Sequence, residues 1–371
     1  MSQQDIQAFY ADHPHLRAIT ADLNDSQPHP YLLKGMIGSA RSLLITKLFE
    51  NTDIPLLIIM EDKEQAAYYL NDLERLINDK DVLFYPGSYR RPYQIEETDN
   101  ANVLLRAEVL NRINSRKKPS VILTYPEALS EKVITKKELN KSILELKVGQ
   151  EIDSEFINEA LFEYHFERVD FVTEPGEFSV RGGIIDVFSF SHDHPFRIEF
   201  FGDEIESLRT FDIESQLSVK KKKKISIMPN VEGKLVDEKR VSFLEYIADN
   251  TAVFIEDLHL LNDKLDEMFN KAVSAFNELS KDIKHQRPED LFCNAQLLRS
   301  QLEDYKRFFF KSSASSSFSF FKEYQFNIIP QPSFNKNFEL IMENLQENPE
   351  ERFTNHICCS SEKQVKRFHD I

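Results

Sequence analysis

Cysteine is scarce: Cys293, Cys358 and Cys359 are the three in 371 residues. They supply no paired framework of disulfides, and such sparse use fits a reducing compartment. Cys358 and Cys359 sit beside His356 in a short apolar stretch, where vicinal cysteines read as packing residues of a strand; no metal site is expected. Long apolar runs are missing as well. None approaches the ~20 residues that cross a bilayer, and the opening MSQQDIQAFYADHPHL lacks the basic-then-apolar pattern of a signal peptide. The expectation is a cytoplasmic protein with no membrane partner. Positive charge is in deficit too: 46 Lys and Arg stand against 62 Asp and Glu, for a net charge of −16 and a pI near 5.2. Nonspecific DNA binding neutralises phosphates with Lys and Arg, so this balance argues against DNA as the main partner.

What remains is the composition of a soluble globular chain, 41% hydrophobic and 29% charged, with room for two or three domains. In the first segment, residues 1–128, short apolar runs alternate with helical patterns. Asp5 to Tyr10 reads as a short helix. Strands are expected at Tyr31-Leu32-Leu33, Leu56 to Met60, Val82 to Tyr85 and Val121 to Thr124. Such alternation predicts a parallel sheet covered on both faces. The first strand runs into Gly35-Met36-Ile37-Gly38-Ser39-Ala40-Arg41-Ser42 and then an apolar helix. That is the place of a phosphate-binding loop, G-x-x-x-x-G-K-[ST]. Gly35 and Ser42 fit, but Ala40 stands for the second glycine and Arg41 for the lysine. The glycine lets backbone amides close around phosphate. The lysine is a compact charge that the planar arginine replaces poorly. The expectation is a degenerate nucleotide site without hydrolysis, formed by Gly35, Gly38, Ala40, Arg41 and Ser42. Tyr89, Arg90, Arg91 and Tyr93 form an Arg/Tyr cluster of a kind that stacks on bases; the short span favours an ordinary loop.

The middle segment, 129–222, is expected to be α+β. A helix capped by Asp153 or Ser154 precedes a meander of about four strands between Pro175 and Phe211. Period-two alternation buries Phe178, Val180, Phe196, Ile198 and Phe200. It turns Arg181, Arg197, Glu199 and Phe201 to the other face. One reading is a solvated face with a single exposed aromatic; the other is a protein-binding patch, since Arg with an aromatic is the composition of interface hot spots. Helices on one side of the sheet would leave the second face free. Lys220 to Lys224 reads as a solvated connector, with a phosphate contact as the alternative.

In the third segment, 223–330, an apolar strand ends at Glu256-Asp257-Leu258-His259, followed by a long helix from Leu260 to Ser280 and more helix from Pro288 to about Tyr305. The serine-rich Ser312 to Ser319 marks a loop. The tail, 331–371, stops in mid-helix pattern, which suggests a further domain cut short and a longer parent protein.

The run Arg181-Gly182-Gly183-Ile184-Ile185-Asp186-Val187-Phe188, with Arg197-Ile198-Glu199-Phe200-Phe201-Gly202-Asp203-Glu204-Ile205, resembles domain 2 of the bacterial repair family of UvrB and the transcription-repair coupling factors (Mfd). The resemblance implies degenerate helicase-like parallel-sheet domains, 1a and 1b, with an inserted α+β UvrA-binding domain. It implies UvrA as the partner, held by Arg181, Arg197 and Phe201. UvrB carries an intact phosphate loop and a long DNA-inserting hairpin; this chain has neither, which favours the coupling-factor side of the family. Glu256 and Asp257 then read as the remnant of a magnesium-binding helicase motif, or simply as the cap of a strand. The expected function is a non-catalytic recruitment module with no cofactor of its own. The resemblance assigns ATP and Mg, and contacts with RNA polymerase and DNA, to parts of a full-length translocase absent here. The alternative is a UvrB-like damaged-DNA-binding or ATP-dependent helicase fragment.

Overall fold

Leu56–Ile59, Val82–Phe84, Val121–Thr124 and Ala252–Ile255 are buried along their whole length. Strands with no polar alternation need cover on both faces, and a parallel sheet flanked by helices provides it. In the computed structural model these four runs are joined by Pro30–Lys34, Lys306–Phe309 and Lys322–Gln325 in one seven-stranded sheet. The order across it is 322–325, 30–34, 306–309, 252–255, 56–59, 121–124, 82–84, and every neighbouring pair is parallel. The structure describes residues 8–369 apart from 9, 12, 89–92, 94–99, 116–117, 191, 193, 230–238, 280–284, 312–318, 336, 348–355, 358 and 360. Of the helix expected at Asp5 to Tyr10, Ala8 and Tyr10 are described and are helical, and the other four residues lie outside the described residues.

Because all seven strands run the same way, their carboxyl ends meet along one edge. The first and third segments of the chain share this sheet, and residues Met1–Asn327 form one compact unit. One of its strands overturns the sequence reading. The stretch expected to run as helix from Pro288 to about Tyr305 is helical over Pro288–Leu291 and Ala295–Leu302, and Lys306–Phe309 then enters the sheet between the strands 30–34 and 252–255. Aromatic stacking supports that position: the Phe308 ring lies 4.8 Å from Tyr31 on one side and 4.8 Å from Phe254 on the other.

The inserted domain is a six-stranded sheet in the order 218–222, 204–211, 196–201, 184–187, 177–181, 167–168, antiparallel except at its last pair. Helix Ser154–Glu163, capped by Asp153, buries Ile157, Ala160 and Leu161. The lysine run is not a connector: Ser218–Lys222 is the edge strand of the sheet. Charged lysines on an edge discourage pairing with another chain.

Residues Ile328–Ile371 form a second unit. It holds helices Phe338–Glu347 and Glu362–His369, with the Phe338 and Phe368 rings 6.3 Å apart. His356, Ile357 and Cys359 lie in no strand, contrary to expectation, and Cys358 is outside the described residues. Among the described residues no helix is long and apolar enough to cross a membrane.

Candidate functional site

The second face of the inserted sheet is set by register. Arg181 ends the strand Glu177–Arg181, and Gly182, at φ 60°, makes the tight turn into Ile184–Val187. A side chain other than glycine is strained in that left-handed region. Cross-strand partners point to the same side of a sheet, so two rows form on this face. One runs Ser179, Asp186, Arg197, Arg209, Lys221; the other Arg181, Ile184, Glu199, Ser207. A bulge lies opposite Glu199 and Phe200, but the extra residue, Glu206, is on the neighbouring strand. The strand Phe196–Phe201 keeps its own alternation, and Phe201 stays on the face of Arg197.

Parity thus places Arg181, Arg197 and Phe201 together, but their surroundings differ. Phe201 is 79% exposed. Arg181 is 41% exposed, donates through Nη2 to Asp186 Oδ2 at 2.5 Å, and lies with its guanidinium carbon 5.2 Å from the Phe171 ring, itself 60% exposed. Arg197 is 16% exposed and does not project as the sequence suggested. Its Nε and Nη2 grip Asp186 Oδ1 and Oδ2 at 2.7 and 2.9 Å, its Nη1 donates to the Gln216 carbonyl at 3.2 Å, and its guanidinium carbon lies 4.6 Å from the Phe211 ring. The hydrogen bond from Arg197 to Asp186 raises the arginine's pKa further above its ordinary value.

The cause is a cover that sequence pattern did not show. Val172, Phe188 and Phe211 form a small buried cluster, joined by Val169, and the Gln216 side chain donates to the Val172 carbonyl at 3.3 Å. This end of the second face is closed, and Asp186 is fully buried in it. Asp186, which joins both arginines, is the residue of this face that sequence reasoning passed over. A signal was present: it shares parity with Ile184, so alternation turns a lone carboxylate toward the face of the arginines. Beside it, Glu199 accepts from Ser207 Oγ at 2.7 Å and pairs with Arg209, and these bonds, Ser207's first, hold its carboxyl below the usual range.

The degenerate cradle lies at the carboxyl edge of the large sheet, where ligands of open α/β sheets bind. Gly35 has φ 79°, and a Cβ there would lie 2.1 Å from the Phe326 carbonyl oxygen, so residue 326 roofs the turn. Gly38 has φ 53° with open space beside it. Ala40 begins the helix Ala40–Asn51. Ser42, buried, donates to Asp72 Oδ2 at 3.2 Å. Arg41 takes the position of the phosphate-loop lysine, but its guanidinium bends back. Nε and Nη2 donate to the Met36 carbonyl at 3.1 and 3.0 Å, Nη1 pairs with Glu256, and the guanidinium carbon lies 4.9 Å from the Phe310 ring.

Glu256, 2% exposed, also takes Lys311 Nζ at 3.1 Å, and Lys311 pairs with Glu61. Arg41, Lys311, Glu256 and Glu61 follow the ends of four adjacent strands, 30–34, 306–309, 252–255 and 56–59. The chain therefore closes this crevice with linked ion pairs of its own. Asp257 faces elsewhere: it caps helix Leu258–Glu278, accepting from the His259 and Leu260 amides at 2.9 and 3.1 Å. Asp257→Ala is expected to cost about 1 kcal/mol of stability as a lost helix cap, read as a shift in urea midpoint. Tyr93 donates to the Gln286 carbonyl at 3.0 Å and packs toward Phe276 and Phe292; Tyr89, Arg90 and Arg91 lie outside the described residues.

Comparison with known proteins bears on the first of these sites. Residues 144–232 match the family model of the UvrB interaction domain. The chain is 31% identical to the transcription-repair-coupling factor of Bacillus subtilis over 270 residues, 72% of this chain and 22% of that protein. It is 31% identical to the coupling factor of Myxococcus xanthus over 213 residues, 56% of this chain and 18% of that protein. It is 29% identical to UvrABC system protein B of Thermosipho africanus over 220 residues, 56% of this chain and 33% of that protein. The chain thus spans about a fifth of the length of the coupling factors it matches. The inserted sheet with the Arg181 and Phe201 face lies within the matched span, and the flanking sheet segments extend the likeness. The chain carries a UvrB interaction domain, set in a UvrB-like region of the kind found in transcription-repair-coupling factors.

Proposed function

We propose that this chain recruits UvrA to sites of stalled transcription, as a non-catalytic module of a cytoplasmic transcription-repair coupling factor. The observation that carries the reading is the pairing of a 79%-exposed Phe201 with the half-exposed Arg181 on one face of the domain that matches the UvrB interaction domain. An aromatic ring and a guanidinium on a shared surface are the side chains that dominate interface energies. Arg197 serves the same site from beneath, as the partner of Asp186. ATP hydrolysis, and contacts with RNA polymerase and DNA, belong in this reading to other parts of a longer protein. Here the cradle is filled by Arg41, and no nucleotide or magnesium ion is needed.

Binding of purified UvrA to the full chain tests this. Burying one Phe contributes roughly 1.5–3 kcal/mol, and about 1.4 kcal/mol is a factor of ten in affinity. Phe201→Ala and Arg181→Ala are each expected to weaken the complex at least tenfold, with the urea midpoint of the free chain close to wild type. Wild-type affinity in both variants would refute the proposal.

A further inference from the structure

We infer that Asp186 is a positioning residue that holds Arg181 ready for an acidic side chain on the docking partner. The inference rests on the reading of this face as the UvrA-binding surface. It concerns the chemistry of the contact and the residue that prepares it.

The geometry makes the two arginines unequal. Arg197 uses three nitrogens on fixed acceptors, two on Asp186 and one on the Gln216 carbonyl, and is largely covered. It neutralises the buried carboxylate and is committed to that task. Arg181 uses one nitrogen, Nη2, on the remaining capacity of Asp186 Oδ2. Its ring contact is Phe171, which is itself exposed, and its side chain is 41% open to solvent.

A guanidinium is a planar fork that meets a carboxylate through two parallel N–H bonds. With one corner fixed by Asp186 and one face resting near an aromatic ring, the remaining edge is presented in a limited set of orientations. An untethered surface arginine loses rotamer freedom when it binds, and fixing it beforehand removes much of that cost. Phe201 lies on the same face, on the order of 12 Å away by strand spacing. The complementary surface on the partner is therefore a carboxylate beside an apolar pocket. Asp186, at 0% exposure, touches no partner and acts only through Arg181.

A double-mutant cycle on the full chain with purified UvrA tests the inference. Asp186→Leu with Arg197→Met removes the buried ion pair as a unit, which proteins often tolerate, and leaves Arg181 and Phe201 in place without the tether. Arg181→Ala is then measured in both backgrounds. In the wild-type chain it is expected to cost at least tenfold in UvrA affinity; in the untethered chain, less than threefold. A purely structural role for Asp186 would leave Arg181→Ala equally costly in both, and that result overturns the inference. If the double substitution unfolds the domain, Asp186→Asn takes its place in the same comparison. A second readout is independent of UvrA: in the free chain, the Arg181 Nε–H should show restricted motion by NMR relaxation and become mobile on removal of Asp186. Unrestricted Arg181 in the wild-type chain would also refute positioning. Unchanged affinity with Arg181→Ala in the wild-type background would overturn the inference alone if Phe201→Ala still weakens the complex, and the UvrA reading as well if Phe201→Ala is also without effect.

Discussion

Arg197→Ala should destabilise the inserted domain by about 3 kcal/mol, the scale of breaking a buried ion pair by removing one partner. Asp186 is fully buried, and in the wild type its two oxygens meet Arg197 twice and Arg181 once. Without Arg197 the carboxylate keeps a single bond from a half-exposed side chain. The Gln216 carbonyl loses a donor and the Phe211 ring loses its covering cation in the same step. Taking both charges away should be far milder: Asp186→Leu with Arg197→Met exchanges the pair for apolar volume and should stay within about 1 kcal/mol of wild type. Urea unfolding of the three proteins decides between these outcomes. An Arg197→Ala midpoint equal to wild type would mean that Arg197 is an ordinary surface arginine. A consequence for binding follows: any loss of UvrA affinity in Arg197→Ala must be read against its lost stability.

The second large effect is expected at the carboxyl edge of the large parallel sheet. Glu256→Ala removes a 2%-exposed carboxylate that holds Arg41 and Lys311 together, leaving two cations facing each other over a roofed turn. A loss of about 3 kcal/mol is expected. Magnesium and ATP should leave the wild-type midpoint unchanged, because a ligand that binds only the folded state raises it. A midpoint that climbs with ATP concentration would show that Arg41 gives way to phosphate and would sink the account of a self-filled cradle. The clasp also has a pH signature. Glu61 is held below the ordinary carboxyl value, first by its hydrogen bond from Lys311. A depressed carboxyl pKa contributes stability that is complete above the unfolded value, here 4.5, and is lost as pH falls through the lower folded value. Lys311→Met should flatten that acid-side loss.

These two sites show where pattern was enough and where it was not. Alternation along Phe196–Phe201 put Arg197 and Phe201 on one face, and the bulge did not disturb it because its extra residue sits on the neighbouring strand. The same pattern was blind to Phe211 and the Gln216 carbonyl, which meet Arg197 from outside the period of its strand and turn it from a projecting residue into a covered one. At the cradle, the substitutions Ala40 and Arg41 were visible as departures from a phosphate loop. That the guanidinium would find Met36 and Glu256 was not, since those partners come from a backbone turn and from a strand far along the chain.

The chain's order of residues alone determined the class of the fold, the presence of an antiparallel meander and the outward set of Arg181 and Phe201. These depend on local periodicity, and periods of two and of apolar runs are written in neighbouring residues. Only tertiary structure decided that Lys306–Phe309 is a strand, that Ser218–Lys222 is a sheet edge, that Asp186 joins two arginines, and that Glu256 and Lys311 seal the crevice. Each is a pairing between distant parts of the chain. A parallel strand finds its place through a partner that the local sequence does not name, and a buried charge through a counter-ion brought to it by the sheet.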